Sequence, residues 1–191
     1  MSLDTCPLRK NIDGSEDVDA SVLAVLWGIP PRVLLVRKSC RRKTYWSCDA
    51  ALPGGHIEEH EGPVEAALRE AWEEAWIHRG SISIKGVLPI EVTRIGKVKI
   101  LPIIGVVSGP ICYRPNSEEV DEVFWENLSI LDRPPRIFFH PNRRLAIEGY
   151  ILDSGAILWG ATLRILRRIH RSLQSCPSLL DPFITQHPSP R

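Results

Sequence analysis

The stretch from residue 63 to about residue 78 carries the long helical pattern in the first half of the chain. Pro63 suits the opening turn of a helix, because the first turn does not use its backbone N–H. At about 100° per residue, one stripe of this helix is apolar. The stripe consists of Val64, Ala67, Leu68, Ala71, Trp72 and Ala75. The pattern therefore predicts a helix with one buried face.

Short β-rich runs surround this helix and determine the predicted fold class. They lie at residues 20–27, 33–36, 83–88, 98–107 and 122–128. Gly28-Ile29-Pro30-Pro31 predicts a tight turn between the first two runs, and Asp153-Ser154-Gly155 predicts the turn of a later hairpin. A second helix is expected from about residue 160 to residue 173. The order of these segments predicts an α+β domain, a mixed sheet with one helix early and one late.

The length and charge of the chain exclude several classes of protein. A chain of 191 residues is the size of one domain with tails, and we expect a mobile lead-in at 1–19, a domain at 20–175 and a flexible tail at 176–191. Lys plus Arg is 24 and Asp plus Glu is 23, so the chain lacks the surplus positive charge of non-specific nucleic-acid binding. No apolar run approaches the ~18 residues of a membrane span. We expect a cytoplasmic protein that binds neither nucleic acid nor a membrane, and a homodimer stays open.

The five cysteines are odd in number and include no Cys-x-x-Cys pair. This spacing predicts neither a disulfide framework nor a cysteine zinc site. Cys48 lies close to the Gly54-Gly55 pair, where it is either a redox-active thiol or a small packed residue.

Three carboxylates lie together on the predicted helix, outside its apolar stripe. Glu70, Glu73 and Glu74 are spaced i, i+3 and i+4, so they repel one another and weaken an isolated helix. A solvated acidic face is the common explanation of such a run, but Arg69 is the nearby counter-charge and Glu65 competes for it. Hard divalent cations need this arrangement, because Mg²⁺ prefers oxygen ligands and takes the remainder from water and substrate phosphate.

The residues before the helix extend the pattern. Gly54 and Gly55 allow the backbone to approach a ligand closely. From Gly55 the chain has five residues, Glu61, seven residues and then Arg69-Glu70-Ala71-x-Glu73-Glu74-x-Trp76-Ile77. This resembles the Nudix box, Gly-x5-Glu-x7-Arg-Glu-U-x-Glu-Glu-x-Gly-U with U aliphatic. The departure is Trp76, which stands where the family has a glycine that helps to end the helix. We therefore expect the helix to continue and to end at Gly80.

The resemblance implies a Nudix fold, an α/β/α sandwich, and hydrolysis of a nucleoside diphosphate linked to another group with Mg²⁺ or Mn²⁺. It implies that Glu70, Glu73, Glu74 and the Gly54 carbonyl bind metal, and that Arg69 orients Glu70 together with Glu61. Metals would neutralise the diphosphate and lower the pKa of a bound water. Family members differ in the general base, and some use a glutamate from a later loop. Glu118 and Glu119 stand in such a loop, and an ordinary exposed loop explains them equally well.

The flanking residues resemble one subgroup, the coenzyme A diphosphatases. Residues 33–37 and 46–55 partly match its motifs, and residues 93–96, 119–125 and 157–165 resemble it further downstream. The match is imperfect: Leu35 replaces Thr, Cys48-Asp49 replaces Gly-Gln, and Leu52 replaces Phe. The implied substrate is coenzyme A or a derivative, cleaved to 3′,5′-ADP and 4′-phosphopantetheine moieties. ADP-ribose, a dinucleoside polyphosphate and an oxidised nucleotide are alternatives, and so is a non-catalytic nucleotide-binding module.

The basic residues upstream of the glycine pair are candidates for phosphate binding. They are Arg37, Arg41, Arg42 and Lys43. Arginine forks match phosphate oxygens, and Arg37 is the strongest candidate, although a solvated basic loop explains the same run. Tyr45 and Trp46 are either stacking partners for adenine or packing residues. Gly55 would let the backbone approach the bound substrate.

Overall fold

A computed structural model describes residues 8–9, 17–41, 46–143 and 145–175. The helices are α1 (Pro63–Ala75) and α2 (Gly160–Ser175). The strands are β1 (Ala20–Trp27), β2 (Arg32–Lys38), β3 (Ala50–Ala51), β4 (Gly54–His56), β5 (Ser83–Val87), β6 (Glu91–Val92), β7 (Lys99–Val106), β8 (Val120–Asn127), β9 (Arg136–Phe139), β10 (Ala146–Ile151) and β11 (Ile157–Trp159). Short 3-10 helices lie at Arg79–Ser81 and Leu128–Asp132. No helix in the described part of the chain is long and apolar enough to cross a membrane.

Within the described residues, the first eight strands form one mixed sheet. The order β3-β2-β1-β7-β5 runs across it, with β8 paired to β2, β4 to β1 and β6 to β7. Strands β1 and β7 are parallel, with Ala20 opposite Ile100 and Leu26 opposite Val106, and the other pairs are antiparallel. The tight turn predicted between the first two strands is confirmed by the antiparallel pairing of β1 with β2.

Both faces of this sheet are covered, and strand alternation explains why β1 is apolar throughout. Leu23 and Val25 pack in the cluster that contains Ala67 and Ala71 of α1. Their neighbours Ala24 and Leu26 point the other way, into the cluster of Leu163 and other α2 residues. A strand buried on both faces is a continuous hydrophobic run. The mixed sheet between α1 and α2 confirms the expected α+β class and sandwich.

A smaller sheet, β11-β10-β9, lies outside the main sheet. The predicted hairpin is confirmed in β10 and β11, where Ile151 pairs with Ile157. Strand β9 was not predicted, because it is only four residues long and follows two prolines. Its apolar residues Ile137 and Phe139 are 78% and 64% exposed, so burial adds no pattern to the sequence there.

Helix α1 ends earlier than expected. Its last residue is Ala75, and Trp76 takes a left-handed conformation with φ 56° and ψ 33°, so the predicted extension to Gly80 is wrong. The Trp76 N–H donates to the Trp72 carbonyl at 2.9 Å, and the Arg114 N–H donates to the Ala75 carbonyl at 3.0 Å. These bonds satisfy backbone groups at the helix end, as a terminal glycine would allow.

The side chain of Trp76 compensates for its backbone conformation. The ring stacks on Trp72 with centroids 5.1 Å apart, and the Arg114 guanidinium carbon lies 3.1 Å from the Trp76 centroid. A left-handed residue other than glycine costs about 1–2 kcal/mol, which is the size of such ring contacts. Trp72 is 45% exposed, so its predicted place in the buried stripe is wrong.

Candidate active site

Arg69 of α1 is the centre of a group of ion pairs. Its Nη2 donates to Glu61 Oε1 at 2.8 Å, and its Nε donates to Glu61 Oε2 at 3.1 Å. Its Nη1 contacts Glu70 Oε1 at 3.0 Å and Glu73 Oε2 at 3.1 Å, and its Nη2 also donates to the His56 carbonyl at 3.1 Å. Hydrogen bonds from Arg69 lower the pKa of Glu61, because they favour the ionised carboxylate. The structure therefore brings Glu61, Glu70 and Glu73 to one guanidinium.

The two glycines of β4 allow neighbouring protein groups to pack closely against the backbone. A Cβ at Gly54 would lie 2.6 Å from the Cα of Val22, because β4 pairs with β1 at this point. A Cβ at Gly55 would overlap Oε1 of Glu70. The absent side chains thus leave room for a carboxylate directly against the backbone, which is the kind of space that a metal or phosphate ligand needs.

Glu74 is placed differently from its two neighbours. It is only 2% exposed, and its Oε1 forms an ion pair with Nζ of Lys38 at the end of β2. Its Oε2 is buried and has no hydrogen-bond partner among the described residues. Burial raises the pKa of Glu74, and the Lys38 charge opposes that rise. A buried carboxylate oxygen without a hydrogen-bond partner fits a divalent cation, because such a cation prefers oxygen ligands.

The three carboxylates do not form a ready metal cluster. In the described ranges, no group of three or more His, Cys, Asp or Glu side chains is arranged to hold a metal ion. The reason is visible in the ion pairs: Arg69 holds Glu70 and Glu73, while Lys38 holds Glu74. The donor set fits Mg²⁺ or Mn²⁺ in its chemistry, and a protein cation contacts one oxygen of each of the three carboxylates.

The loop with the two candidate bases packs on the end of α1. The Asn116 N–H donates to the Glu74 carbonyl at 3.0 Å, and the Glu119 carbonyl accepts from the Ser39 N–H at 2.9 Å. The loop therefore lies next to both α1 and the end of β2. Glu118 and Glu119 are both exposed there.

In the segment upstream of the glycine pair (residues 33–53, the upstream segment), Arg37 and Arg41 donate hydrogen bonds to different backbone carbonyls. Arg37 Nη1 donates to the Ser154 carbonyl at 2.6 Å, and its Nη2 lies 3.5 Å from Glu122 Oε2. Arg41 donates to the Ser117 carbonyl at 2.9 Å and is 72% exposed. Neither has a described contact with the carboxylates of α1. Arg42, Lys43 and Tyr45 lie outside the described residues.

Lys38 is the site residue that the sequence interpretation missed. It is not among the basic residues considered for phosphate binding, of which Arg37 is the strongest candidate. Strand alternation is the signal that distinguishes them: Leu34 and Val36 of β2 pack in the α1 cluster, so Lys38 continues that face and Arg37 takes the other.

Cys40 and Cys48 form a disulfide, so the expectation of no disulfide is wrong. Their Cα atoms are 4.7 Å apart, within the range of disulfides, because both residues lie in the connection between the paired strands β2 and β3. Cys48 has φ 66°, a left-handed conformation at a position where the related motif has glycine. Its N–H donates to the Lys38 carbonyl at 3.1 Å.

Asp49, which stands where the related motif has glutamine, belongs to a buried charged group. Its Oδ1 contacts His140 Nε2 at 2.9 Å, and its Oδ2 accepts from Arg143 Nη2 at 2.8 Å. Burial raises the pKa of Asp49, while His140, Trp159 and Arg143 oppose the rise. The Arg143 guanidinium carbon also lies 4.9 Å from the Trp46 ring and 4.2 Å from the Trp159 ring. These contacts connect the upstream segment to the loop between β9 and β10 of the smaller sheet.

The chain is similar to known proteins over most of its length. The NUDIX domain model matches residues 18–145. An uncharacterized Nudix hydrolase, NudL of Citrobacter koseri, is 29% identical over 175 residues, which cover 85% of this chain and 87% of that protein. NudL of Escherichia coli O1:K1 / APEC is 28% identical over 148 residues, 73% of each chain.

Solved structures share the fold. RenU, a Nudix hydrolase from M. smegmatis, superposes with a TM-score of 0.54 at 21% identity and covers 82% of this chain and 88% of its own. The Nudix domain of Shewanella oneidensis NrtR, complexed with ADP-ribose, has a TM-score of 0.53 at 16% identity and covers 83% and 90%. With the family model matched across two thirds of its length, the chain belongs to the Nudix hydrolase family.

Proposed function

We propose that this Nudix hydrolase is a metal-dependent pyrophosphohydrolase that cleaves the diphosphate of coenzyme A or a derivative. The observation that carries the catalytic part is the arrangement on α1. Arg69 holds Glu70, Glu61 and Glu73, and the unpartnered buried oxygen of Glu74 lies on the same helix. A non-catalytic module is the alternative, and the retention of every carboxylate of the box favours an enzyme.

In this proposal, Glu70, Glu73, Glu74 and the Gly54 carbonyl hold Mg²⁺ or Mn²⁺. A divalent cation bound there supplies charge neutralisation for a diphosphate and a more acidic water. Arg69 orients Glu70, since a guanidinium that bonds several carboxylates restricts their rotamers. Glu61 serves this arrangement by accepting two of the Arg69 hydrogen bonds.

The proton of the attacking water requires a base. We assign this role to Glu119 or to Glu70. Glu119 lies in the loop that bonds to the end of α1, and Glu70 lies against Gly55. Glu119→Gln separates the two, because it leaves the proposed metal ligands intact. Loss of the pH-dependent limb of turnover would assign the base to Glu119, and retention of that limb would assign it to Glu70.

The upstream segment supports coenzyme A as substrate through its partial motif. Arg37 and Arg41 are assigned to phosphate binding, and Gly55 to close approach of the backbone. Arg41 is exposed but would have to leave the Ser117 carbonyl and Asp121 to bind a phosphate, and Arg37 would have to exchange the Ser154 carbonyl for a phosphate oxygen. ADP-ribose, which the NrtR domain binds, is the leading alternative, together with dinucleoside polyphosphates and oxidised nucleotides.

A hydrolysis panel tests the proposal. It contains coenzyme A, acetyl-CoA, NADH, ADP-ribose, diadenosine polyphosphates and dNTPs, each with Mg²⁺ and with Mn²⁺, and Glu70→Gln is the inactive control. We expect preferential cleavage of coenzyme A, with 3′,5′-ADP and 4′-phosphopantetheine as products. Preference for another nucleotide would retain the chemistry and reject the substrate. Nucleotide binding without turnover would support the non-catalytic module.

A further inference from the structure

Lys38 and Glu74 form a buried ion pair at the proposed metal site. The side chains are 23% and 3% exposed. Glu74 lies near the end of α1 and Lys38 at the end of β2, so the pair joins the helix to the central sheet. A buried carboxylate without a counter-charge is strongly destabilising, and the Lys38 ammonium supplies that charge.

The backbone of Lys38 is held firmly while its side chain is not. Its N–H donates to the Asp49 carbonyl at 3.0 Å, and its carbonyl accepts from the Cys48 N–H at 3.1 Å. The ammonium sits on a flexible four-carbon chain that is partly exposed to solvent. The side chain can therefore leave Glu74 without any change in β2.

Only one oxygen of Glu74 is used by this pair. Oε1 contacts Lys38, while Oε2 has no hydrogen-bond partner in the described part of the chain. An ammonium donates to one oxygen, whereas a divalent cation carries twice the charge and attracts the carboxylate more strongly at the same distance. The two cations compete for the same buried carboxylate.

We propose that Lys38 is an internal counter-ion of the metal site, which neutralises Glu74 before a divalent cation binds and is displaced when the cation arrives. Metal binding is then an exchange of one cation for another at Glu74. The exchange keeps the buried carboxylate paired at every stage and releases the ammonium toward solvent. This inference rests on the proposed metal site and adds a residue outside the Nudix box to it.

Competitive acylation tests the exchange directly. Metal-free protein and protein saturated with Mg²⁺ are treated with trace acetic anhydride, and the rate at each lysine is measured by mass spectrometry. We expect Lys38 to react about tenfold faster with Mg²⁺, which corresponds to a loss of about 1.4 kcal/mol of protection. Lys99 is the matched control, because it pairs with the exposed Asp17 and should not respond.

Glu74→Gln supplies the second comparison. In this variant Lys38 should react rapidly without metal, and Mg²⁺ should add nothing further. Circular dichroism checks that the variant is folded. A slow, protected Lys38 in folded Glu74→Gln would show that something other than Glu74 shields the amine, and the inference would be wrong.

Calorimetric titration of the same samples with Mg²⁺ and Mn²⁺ separates this inference from the proposed function. If the metal binds and Lys38 stays protected, the exchange is rejected and the metal site survives. If Lys38 already reacts fully in the metal-free protein, the counter-ion role is rejected. If neither metal binds, both the inference and the proposed metal site are rejected.

Discussion

Two of the left-handed residues near the candidate site stand where the related motifs have glycine. Cys48 has φ 66° in the segment before the glycine pair, and Trp76 has φ 56° at the end of α1. Each side chain costs about 1–2 kcal/mol in this conformation. Cys48 is held covalently by Cys40, whereas Trp76 is held by ring contacts with Trp72 and Arg114.

The difference shows that other residues can hold a left-handed backbone conformation at a position where glycine is usual, and that they do so by different contacts. At Trp76, exposed aromatic contacts are enough, because the helix end is also satisfied by the Arg114 N–H. At Cys48, a covalent bond holds the turn that follows Lys38. We therefore expect the geometry of the upstream segment to depend on redox conditions, and that of α1, which contains no cysteine, to be independent of them.

The largest expected effect lies in the carboxylate helix. Glu70→Gln and Glu74→Gln should each lower turnover by about a hundredfold or more, because each removes charge from the metal site. Steady-state kinetics measure the loss, and thermal unfolding of Glu70→Gln should remain near that of the parent protein. Glu65→Gln, on the exposed side of the same helix, is the matched control. Near-full activity in both variants would mean that this helix is not the catalytic segment.

Breaking the disulfide in the upstream segment should lower the stability of the protein. Cys40→Ser removes a link across eight residues of sequence separation, and we expect the free energy of unfolding to fall by about 2 kcal/mol. Reductant should lower the melting temperature of the parent protein and leave that of Cys40→Ser unchanged. Cys112→Ser, at an exposed free thiol, controls for cysteine loss. Equal melting temperatures for parent and variant under oxidising conditions would show that the link contributes nothing.

The cost of each left-handed turn can be measured by paired substitutions. Trp76→Ala loses the ring contacts and still pays the energy of the left-handed conformation. Trp76→Gly also loses the ring contacts, but glycine adopts this conformation without that cost. Trp76→Gly should therefore be more stable than Trp76→Ala by about 1 kcal/mol, with turnover little changed in either. Chemical denaturation gives the difference. The same pair at Cys48, made in the Cys40→Ser background, should give a similar value.

Unequal stability differences between the Gly and Ala variants at Cys48 and Trp76 would mean that the two turns carry different strain. A selective loss of turnover in Trp76→Gly, at unchanged melting temperature, would contradict the view that Trp76 acts through stability.

The smallest expected effect is on acid stability. Arg69 lowers the pKa of Glu61 in the folded protein below its ordinary value of 4.5. The unfolded chain therefore binds the proton more readily, so the stabilisation by Glu61 is present above pH 4.5 and is lost as the pH falls through the folded-state pKa. Glu61→Gln should show a shallower loss of stability on acidification, measured by denaturation at a series of pH values. An unchanged acid slope would show that the Arg69 contact contributes no linkage.

The sequence alone determined the fold class and the helix that carries the three carboxylates. The spacing of Glu70, Glu73 and Glu74 and the gapped match from Gly55 identify the family, because they are local patterns along one helix and the loop before it. The apolar run at 20–27 and the turn after it likewise follow from neighbouring residues. The general base and the substrate stay predictions.

Only the tertiary structure decided which charges meet. Lys38 reaches Glu74 across 36 residues, and His140 reaches Asp49 across 91, because β2 lies beside the helix and the smaller sheet lies beside the upstream segment. The early end of α1 depends in the same way on Arg114 in a distant loop. Periodicity predicts which side of a helix or strand is buried. The residue that packs against that side depends on strand order and tertiary packing, which local sequence patterns do not encode.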